Sequence, residues 1–379
     1  MNTLNVTYQL VTPAFLEGFK TEKQYIRLRE SSFKGLIRFW WRALAYAHDG
    51  TDIKQMHKKE SELFGSTKNR SSVIFLPMGD ADISVSDSYD CFDKPGLKYL
   101  GYGLVHPSAK IPYVKAPLLF TIRMISRKDF DPLLIDALKI LGLIGGIGRR
   151  NRRGFGSVAI VDIKQNQEII WQAPHTLEDF GRTLREILPE PDLAIGMPSY
   201  TAFGPQTTIY FLGQSHEDSV FPLWDEVGSQ FQRYRSFGRN GRVGQYPAEK
   251  NFQDDHDLML HADQGVNKAP RRSIFGLPQN YRFGAGKTLT VKPSRKSRER
   301  RASPLIFHFH QLKPGEFIAL ASVFPAKFLN KEHPEISING FSVSGSIEKD
   351  YPVIIEFIEG NIAHNPQKPR FPEMRRIWP

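Results

Sequence analysis

Four arginines in five positions stand inside a run of glycines in LGLIGGIGRRNRRGFGSV, Leu141 to Val158. Gly145, Gly146, Gly148, Gly154 and Gly156 surround Arg149, Arg150, Arg152 and Arg153, with Phe155 between the last two glycines. Glycine permits positive φ and close backbone approach, so peptide N–H groups can converge on phosphate oxygens while the arginines neutralise them. Without an anion, four such cations repel one another. The run is neither a Walker loop nor a dinucleotide fingerprint, because no Gly-Lys-Ser/Thr follows and it leads into a strand rather than opening a helix.

A second constellation lies in SSFKGLIRFWWRAL, Ser31 to Leu44. Phe33, Leu36, Ile37, Trp40, Leu44 and Ala47 recur at helical spacing and form one buried stripe at about 100° per residue. Lys34, Arg38 and Arg42 follow one another at four-residue spacing beside that stripe, with Trp41 at its edge. A basic strip bordered by an indole can contact a phosphate backbone and stack a base. The alternative is a solvated charged face with Trp41 at the core margin. Lys34 in the first turn opposes the helix dipole by about 0.3–1 kcal/mol, which a bound anion would offset.

Further cations lie downstream. Arg233 to Arg242 interleaves arginine, including Arg239 and Arg242, with Tyr234, Phe237 and glycines. KPSRKSRERR, Lys292 to Arg301, holds Arg295, Lys296, Arg298, Arg300 and Arg301 with a single acid, and reads as a basic arm for RNA or an acidic neighbour. Catalytic signals are thin. His308 and His310 project to one side of an expected strand, which admits an acid–base pair but more often means a half-exposed face. Asp254, Asp255, His256 and Asp257 read as a solvated acidic patch, so neither metal nor cofactor is expected. Cys91 is the only cysteine, which excludes an intramolecular disulfide framework and multi-cysteine zinc sites.

The elements that must position these residues follow from periodicity. Strands are expected at Leu4–Val11, Tyr25–Arg29, Ser72–Leu76, Ile83–Val85, Leu118–Ile125 and Ser157–Ile163. Helices are expected from Ser31 or Ser32 to about His48, at Ile53–Phe64 and at Phe130–Ile144. The main elements give the ferredoxin-like order, with pieces inserted between the central strands. In the second half a helix at Phe221–Tyr234 and strands at Phe283–Val291, Leu305–Gln311, Phe317–Val323 and Val353–Ile358 are expected, with Gly238–Arg272 as a loop or insertion. The 379-residue chain carries 51 Lys and Arg against 40 Asp and Glu, a net +11 that favours a polyanionic partner. No apolar window is long enough to span a membrane and no signal-peptide pattern opens the chain, so a cytoplasmic location is expected.

Taken together, IRLRESSFKGLIRFWWRAL, ESELFGS with the SSVIF strand after it, and GGIGRRNRRGFGSV resemble the RAMP proteins, the repeat-associated RNA-binding subunits of CRISPR systems. The helix with its Trp pair resembles in particular the first-subunit family of the Cmr complex, the type III-B RNA-guided effector. The similarity covers Thr12 to Val158 and continues through FGLP, Phe275 to Pro278, and RRASPL, Arg300 to Leu305. It implies an α+β fold of two ferredoxin-like (RRM-like) domains packed together: residues 1–170 with the glycine-arginine loop, and a degenerate second domain, 171–379, with a long insertion. It also implies a non-catalytic subunit that holds the 3′ part of a guide RNA and the 5′ part of a target RNA in antiviral defence, beside other subunits of the complex. The matching motif positions are Lys34, Arg38, Trp41 and Arg42, and Gly145 through Gly156. RAMP folds also include metal-independent guide-processing endoribonucleases, for which His308 or His310 would serve, and a purely structural assembly subunit is a third reading.

Overall fold

In strand β1 (Asn2–Leu10), Leu4, Val6, Tyr8 and Leu10 alternate with polar residues, so the two-residue period puts every apolar side chain on one buried face. The computed structural model describes residues 1–16, 20–22, 25–26, 28–50, 52–76, 83–105, 108, 111–294, 300–329, 334–344, 347–360 and 370–379. After β1 come β2 (Lys20–Glu22), β3 (Tyr25–Ile26), α1 (Glu30–Asp49), α2 (Ile53–Phe64), β4 (Val73–Phe75), β5 (Ile83–Ser86) and α3 (Pro95–Leu100). Then follow β6 (Tyr113–Val114), β7 (Leu118–Ser126), α4 (Pro132–Ile144), β8 (Val158–Gln165), β9 (Glu168–Gln172) and α5 (Leu177–Ile187).

The first sheet has the order β4-β7-β1-β8-β9 with antiparallel neighbours. Without the accessory pieces the chain runs β1-α1-β4-β7-α4-β8, which is the ferredoxin-like order expected from periodicity. Strands β2, β3, β5 and β6 form a separate accessory sheet. Helix α1 starts at Glu30, with Arg29 at the N-cap and no side-chain cap, so neither Ser31 nor Ser32 caps it. Asp52 does cap α2, accepting from the Gln55 amide at 3.0 Å.

The second half repeats this topology. Its elements are β10 (Thr208–Ser215), α6 (Phe221–Arg235), the hairpin β11 (Arg242–Val243) and β12 (Tyr246–Pro247), α7 (Gln253–Leu260), β13 (Gln279–Arg282) and β14 (Thr288–Pro293). They continue with β15 (Leu305–Lys313), β16 (Glu316–Val323), β17 (Glu335–Ile338), β18 (Phe341–Ser344), α8 (Pro352–Glu359) and β19 (Arg375–Trp378). The sheet order β15-β16-β10-β19 matches the first sheet position for position once chain order is followed from β10. Two insertions, after α6 and after β16, together build the sheet β13-β14-β17-β18.

Three expectations are corrected here. Val353–Ile358 is helix, not strand: Pro352 occupies its first turn, and Val353, Ile354, Phe357 and Ile358 are buried at helical spacing. Phe283–Val291 is not one strand, since the chain turns at Gly284–Gly286 between β13 and β14. Gly238–Arg272 is not outside the core, because it buries Phe252, Met259 and Ala262. The two buried clusters each draw on both halves, Leu138 with Ile318 in one and Phe155 with Trp224 in the other, so the two domains share their packing. No described helix is long and apolar enough to cross a membrane.

Candidate nucleic-acid interface

The glycine-arginine loop joins α4 to β8 and lies in the seam between the two domains. Six of its amides donate within the protein, among them Ile147 to Gly156 O (2.8 Å), Arg149 to Phe15 O (2.9 Å), Arg153 to Arg150 O (2.7 Å) and Gly156 to Pro13 O (2.9 Å). The expected cradle of loop amides around a phosphate is therefore corrected, since these donors are already used to hold the loop's shape. Thr12 Oγ1 donates to Gly154 O at 2.6 Å, and Gly145 O accepts from His308 Nδ1 at 2.7 Å across the seam. Gly154, at φ +83°, has Phe309 where a Cβ would sit, 2.4 Å away, so only glycine fits there. Phe155 is fully buried, its ring 4.5 Å from that of Trp224, and it is core rather than a contact for RNA.

The seam divides the four arginines. Gly148, Arg149 and Arg150 are exposed, whereas Arg152 and Arg153 turn inward and are half-buried. Arg152 bonds Ser303 O and Thr201 Oγ1 (3.2 Å), and its backbone carbonyl accepts from the Phe307 amide at 3.2 Å. Arg153 lies 4.6 Å over the Phe231 ring, which Arg235 covers at 4.9 Å. Burial first, and then the neighbouring guanidinium, pull Arg152 down to about 10 and Arg153 to about 9, with Arg301 beside the former and Arg235 beside the latter. Arg150 is lowered as well, by partial desolvation and then by Arg149 and Arg300.

Arg300 and Arg301 reach this place through the sequence-distant motifs FGLP and RRASPL, which pair with each other. Leu277 N donates to Arg301 O at 2.8 Å and Arg301 N to Leu277 O at 3.0 Å. Sequence reasoning missed two further members. Arg150 Nη2 donates to Tyr102 O at 2.7 Å, and Arg282 lies 5.6 Å over the Tyr102 ring, so the rim formed by Arg149, Arg150 and Arg300 continues through Tyr102 to Arg282. Arg282 follows a tyrosine at the end of β13, and neither residue belongs to a motif; only tertiary structure brings them here.

The basic strip of α1 is largely spoken for. Arg38 pairs with Glu60 of α2, and Arg42 Nε lies 3.5 Å from the same carboxylate, which is buried. Lys34 is lowered by partial burial and then by Arg38. Trp41 is 0% exposed, meets Phe64 edge-on at 6.1 Å, and its indole N–H is buried without a hydrogen-bond partner. The expectation of base stacking on Trp41 is thus corrected: α2 folds over the edge of the stripe and turns a margin position into core. Through Phe39, whose ring lies 5.9 Å from Arg152, α1 does approach the loop.

The other candidates fall elsewhere. Arg239 and Arg242 form an exposed hairpin closed by reciprocal backbone bonds, and Arg295, Lys296 and Arg298 lie outside the described residues. Asp255 is buried and accepts from the Arg271 (2.8 Å) and Arg272 (2.7 Å) amides, and His256 stacks on Phe237 at 3.6 Å. No group of three or more metal-ligating side chains converges among the described residues. His308 and His310 are each 1% exposed, not on a half-exposed face; burial holds His308 down at about 3 and His310 well below the ordinary imidazole value.

With this geometry, residues 7–159, from β1 through the loop into β8, match the model of the RAMP superfamily. That segment spans the first ferredoxin-like domain. Over 322 residues the chain is 24% identical to the CRISPR system Cmr subunit Cmr1-1 of Pyrococcus furiosus, covering 83% of this chain and 84% of that one. It is 25% identical over 179 residues to Cmr1-2 of the same organism, 41% of this chain and 94% of the relative. The crystal structure of apo Cmr1 from Pyrococcus furiosus superposes with a TM-score of 0.60 at 20% identity, across 100% of this chain and 99% of that one. A chain of the type III-B Cmr-beta complex bound to cognate target RNA gives 0.50 at 13% identity, over 94% and 99%. The shared fold therefore extends beyond residues 7–159 into the second ferredoxin-like domain.

Proposed function

We propose that this protein is an RNA-holding subunit of a type III-B Cmr effector complex, occupying the place of the first subunit and binding the 3′ part of the guide RNA and the 5′ part of the target RNA without cutting either. The observation that carries this reading is the rim of Arg149, Arg150 and Arg300. Two segments distant in sequence bring cations together there at an electrostatic penalty that polyphosphate relieves. A strand of RNA, one negative charge per nucleotide, complements such a rim better than an isolated carboxylate does.

Cleavage is not assigned to His308 and His310. Acid–base work on a ribose 2′-OH needs a ring within hydrogen-bond reach of it, and both rings are buried, His308 bonded to Gly145 O at the end of α4 and His310 against Phe180 of α5 at 5.0 Å. The test is incubation of the full chain with end-labelled single-stranded RNA in EDTA at two salt concentrations. Salt-sensitive binding with intact RNA is the expected result. Cleavage would replace this reading with the endoribonuclease, and binding insensitive to salt would remove the arginine rim from it.

A further inference from the structure

Tyr102, Tyr246 and Phe341 are the exposed ones among the Phe, Tyr and Trp side chains of the described residues. The outer face of the first sheet, where Thr7, Gln9, Leu119 and Thr121 stand in register, offers no ring for a base among them. Tyr246 lies under Arg233, 4.4 Å away, whose charge is shared with Glu249 at 3.6 Å. Tyr102 is the most exposed of the three, at 58%, and sits in the turn after α3.

Its surroundings have the parts a nucleotide needs. Arg282 lies over the ring, Arg150 is anchored on the residue's own carbonyl, and the ring stands between two surface clefts of about 970 and 540 Å³, lining both. Tyr89, Phe92 and Val105 give the larger cleft apolar surface, whereas Asp87, Asp90 and Asp93 line it with carboxylates. Those carboxylates repel a phosphate and accept hydrogen bonds from base amino groups. A strand crossing this place therefore turns its phosphates to the arginines and a base towards the cleft.

We propose that Tyr102 is a base-stacking residue: single-stranded RNA held by its phosphates on Arg149, Arg150 and Arg300 lays one base against the Tyr102 ring, with the neighbouring phosphate between Arg150 and Arg282. The assignment rests on the RNA-binding reading above and names the subsite within it. Because the residue is more than half exposed and the Arg150 bond is to the backbone, removing the side chain leaves the fold intact.

Fluorescence anisotropy with labelled single-stranded RNA tests it on the full chain, comparing wild type, Tyr102→Ala, Tyr102→Trp and the Arg149→Ala/Arg150→Ala double variant. Tyr102→Ala is expected to bind roughly 5- to 150-fold more weakly, with the same melting temperature and salt slope, and Tyr102→Trp to keep wild-type affinity. RNA carrying 2-aminopurine at successive positions is expected to show quenching at one position that Tyr102→Ala abolishes. Wild-type affinity in Tyr102→Ala, beside weakened binding in the arginine double variant, would overturn the stacking subsite and leave the RNA-binding reading standing. Absence of RNA binding by the wild-type protein would overturn both.

Discussion

Replacing Arg149 and Arg150 together by alanine gives a quantitative test of how the loop is divided. Each phosphate contact to a single strand contributes about 0.7 to the slope of log affinity against log salt. Arg149, Arg150 and Arg300 together account for a slope of about −2, so raising salt from 50 to 200 mM weakens wild-type binding roughly twentyfold through these residues alone. The double variant loses about 1.4 of that slope, and its decline over the same range is about sevenfold smaller. Its melting temperature stays close to wild type, since both side chains are exposed.

The contrasting variant is Arg153→Ala. The Arg153 guanidinium faces Phe231 and Arg235 in the seam rather than solvent, so its loss is expected to lower the melting temperature while leaving the salt slope unchanged. Anisotropy titrations at several salt concentrations, with thermal melts of the same preparations, read both quantities. An equal fall in slope for Arg153→Ala, or none for Arg149→Ala/Arg150→Ala, would refute the division into outward contacts and inward struts.

Four other perturbations separate structure from binding. Trp41→Ala is expected to cost about 3–5 kcal/mol of stability by opening a cavity between α1 and α2, and a protein that melts normally but binds RNA weakly would contradict its place in the core. Glu60→Gln leaves Arg38 and Arg42 without their carboxylate, which should cost about 1–3 kcal/mol in a denaturant titration. Gly154→Ala drives a Cβ into Phe309 at a positive φ and should lower both melting temperature and RNA affinity without removing a charge, and wild-type melting would show that the seam can give way. His308 and His310 are held neutral by burial, so the unfolded chain binds more protons below its own histidine pKa of about 6.5; stability falls as pH drops from there, for His308 down to about 3, while Asp350, raised to about 6, opposes the fall. His310→Phe should flatten the melting temperature against pH over that range, and an unchanged profile would show that the ring is not a buried neutral group.

What could be read from sequence follows the strength of local pattern. Helix α2 falls at Ile53–Phe64 as its spacing, Asp52 and Gly65 require, and β7 and β16 lie within a residue of their alternating runs. Val353-Ile-Ile read as strand because short β-branched runs carry no period, and Pro352 was the better signal. Helix α5 escaped notice although Thr176 caps it and Phe180, Leu184 and Ile187 repeat at helical spacing. For the site, the sequence showed which residues were cationic but not which way they point. Trp41 stands at the edge of its own helix and becomes core only because α2 covers it, and Tyr102 and Arg282 meet only through the fold. Register and contact between distant segments have no local signature.

The repeated topology explains why a loop this basic can be rigid. A lone ferredoxin-like domain would leave residues 145–156 on its surface, where four guanidinium groups would spread the loop apart. Here the second domain supplies contacts for two of them: Ser303 O and Thr201 Oγ1 for Arg152, and the face of Phe231 for Arg153, while His308 and Phe307 hold the backbone on either side. The inward arginines fix the loop, and the outward ones are presented from a frame that is already ordered before RNA arrives. Less conformational freedom is then lost on binding than from a mobile basic arm, so the same charges give tighter attachment.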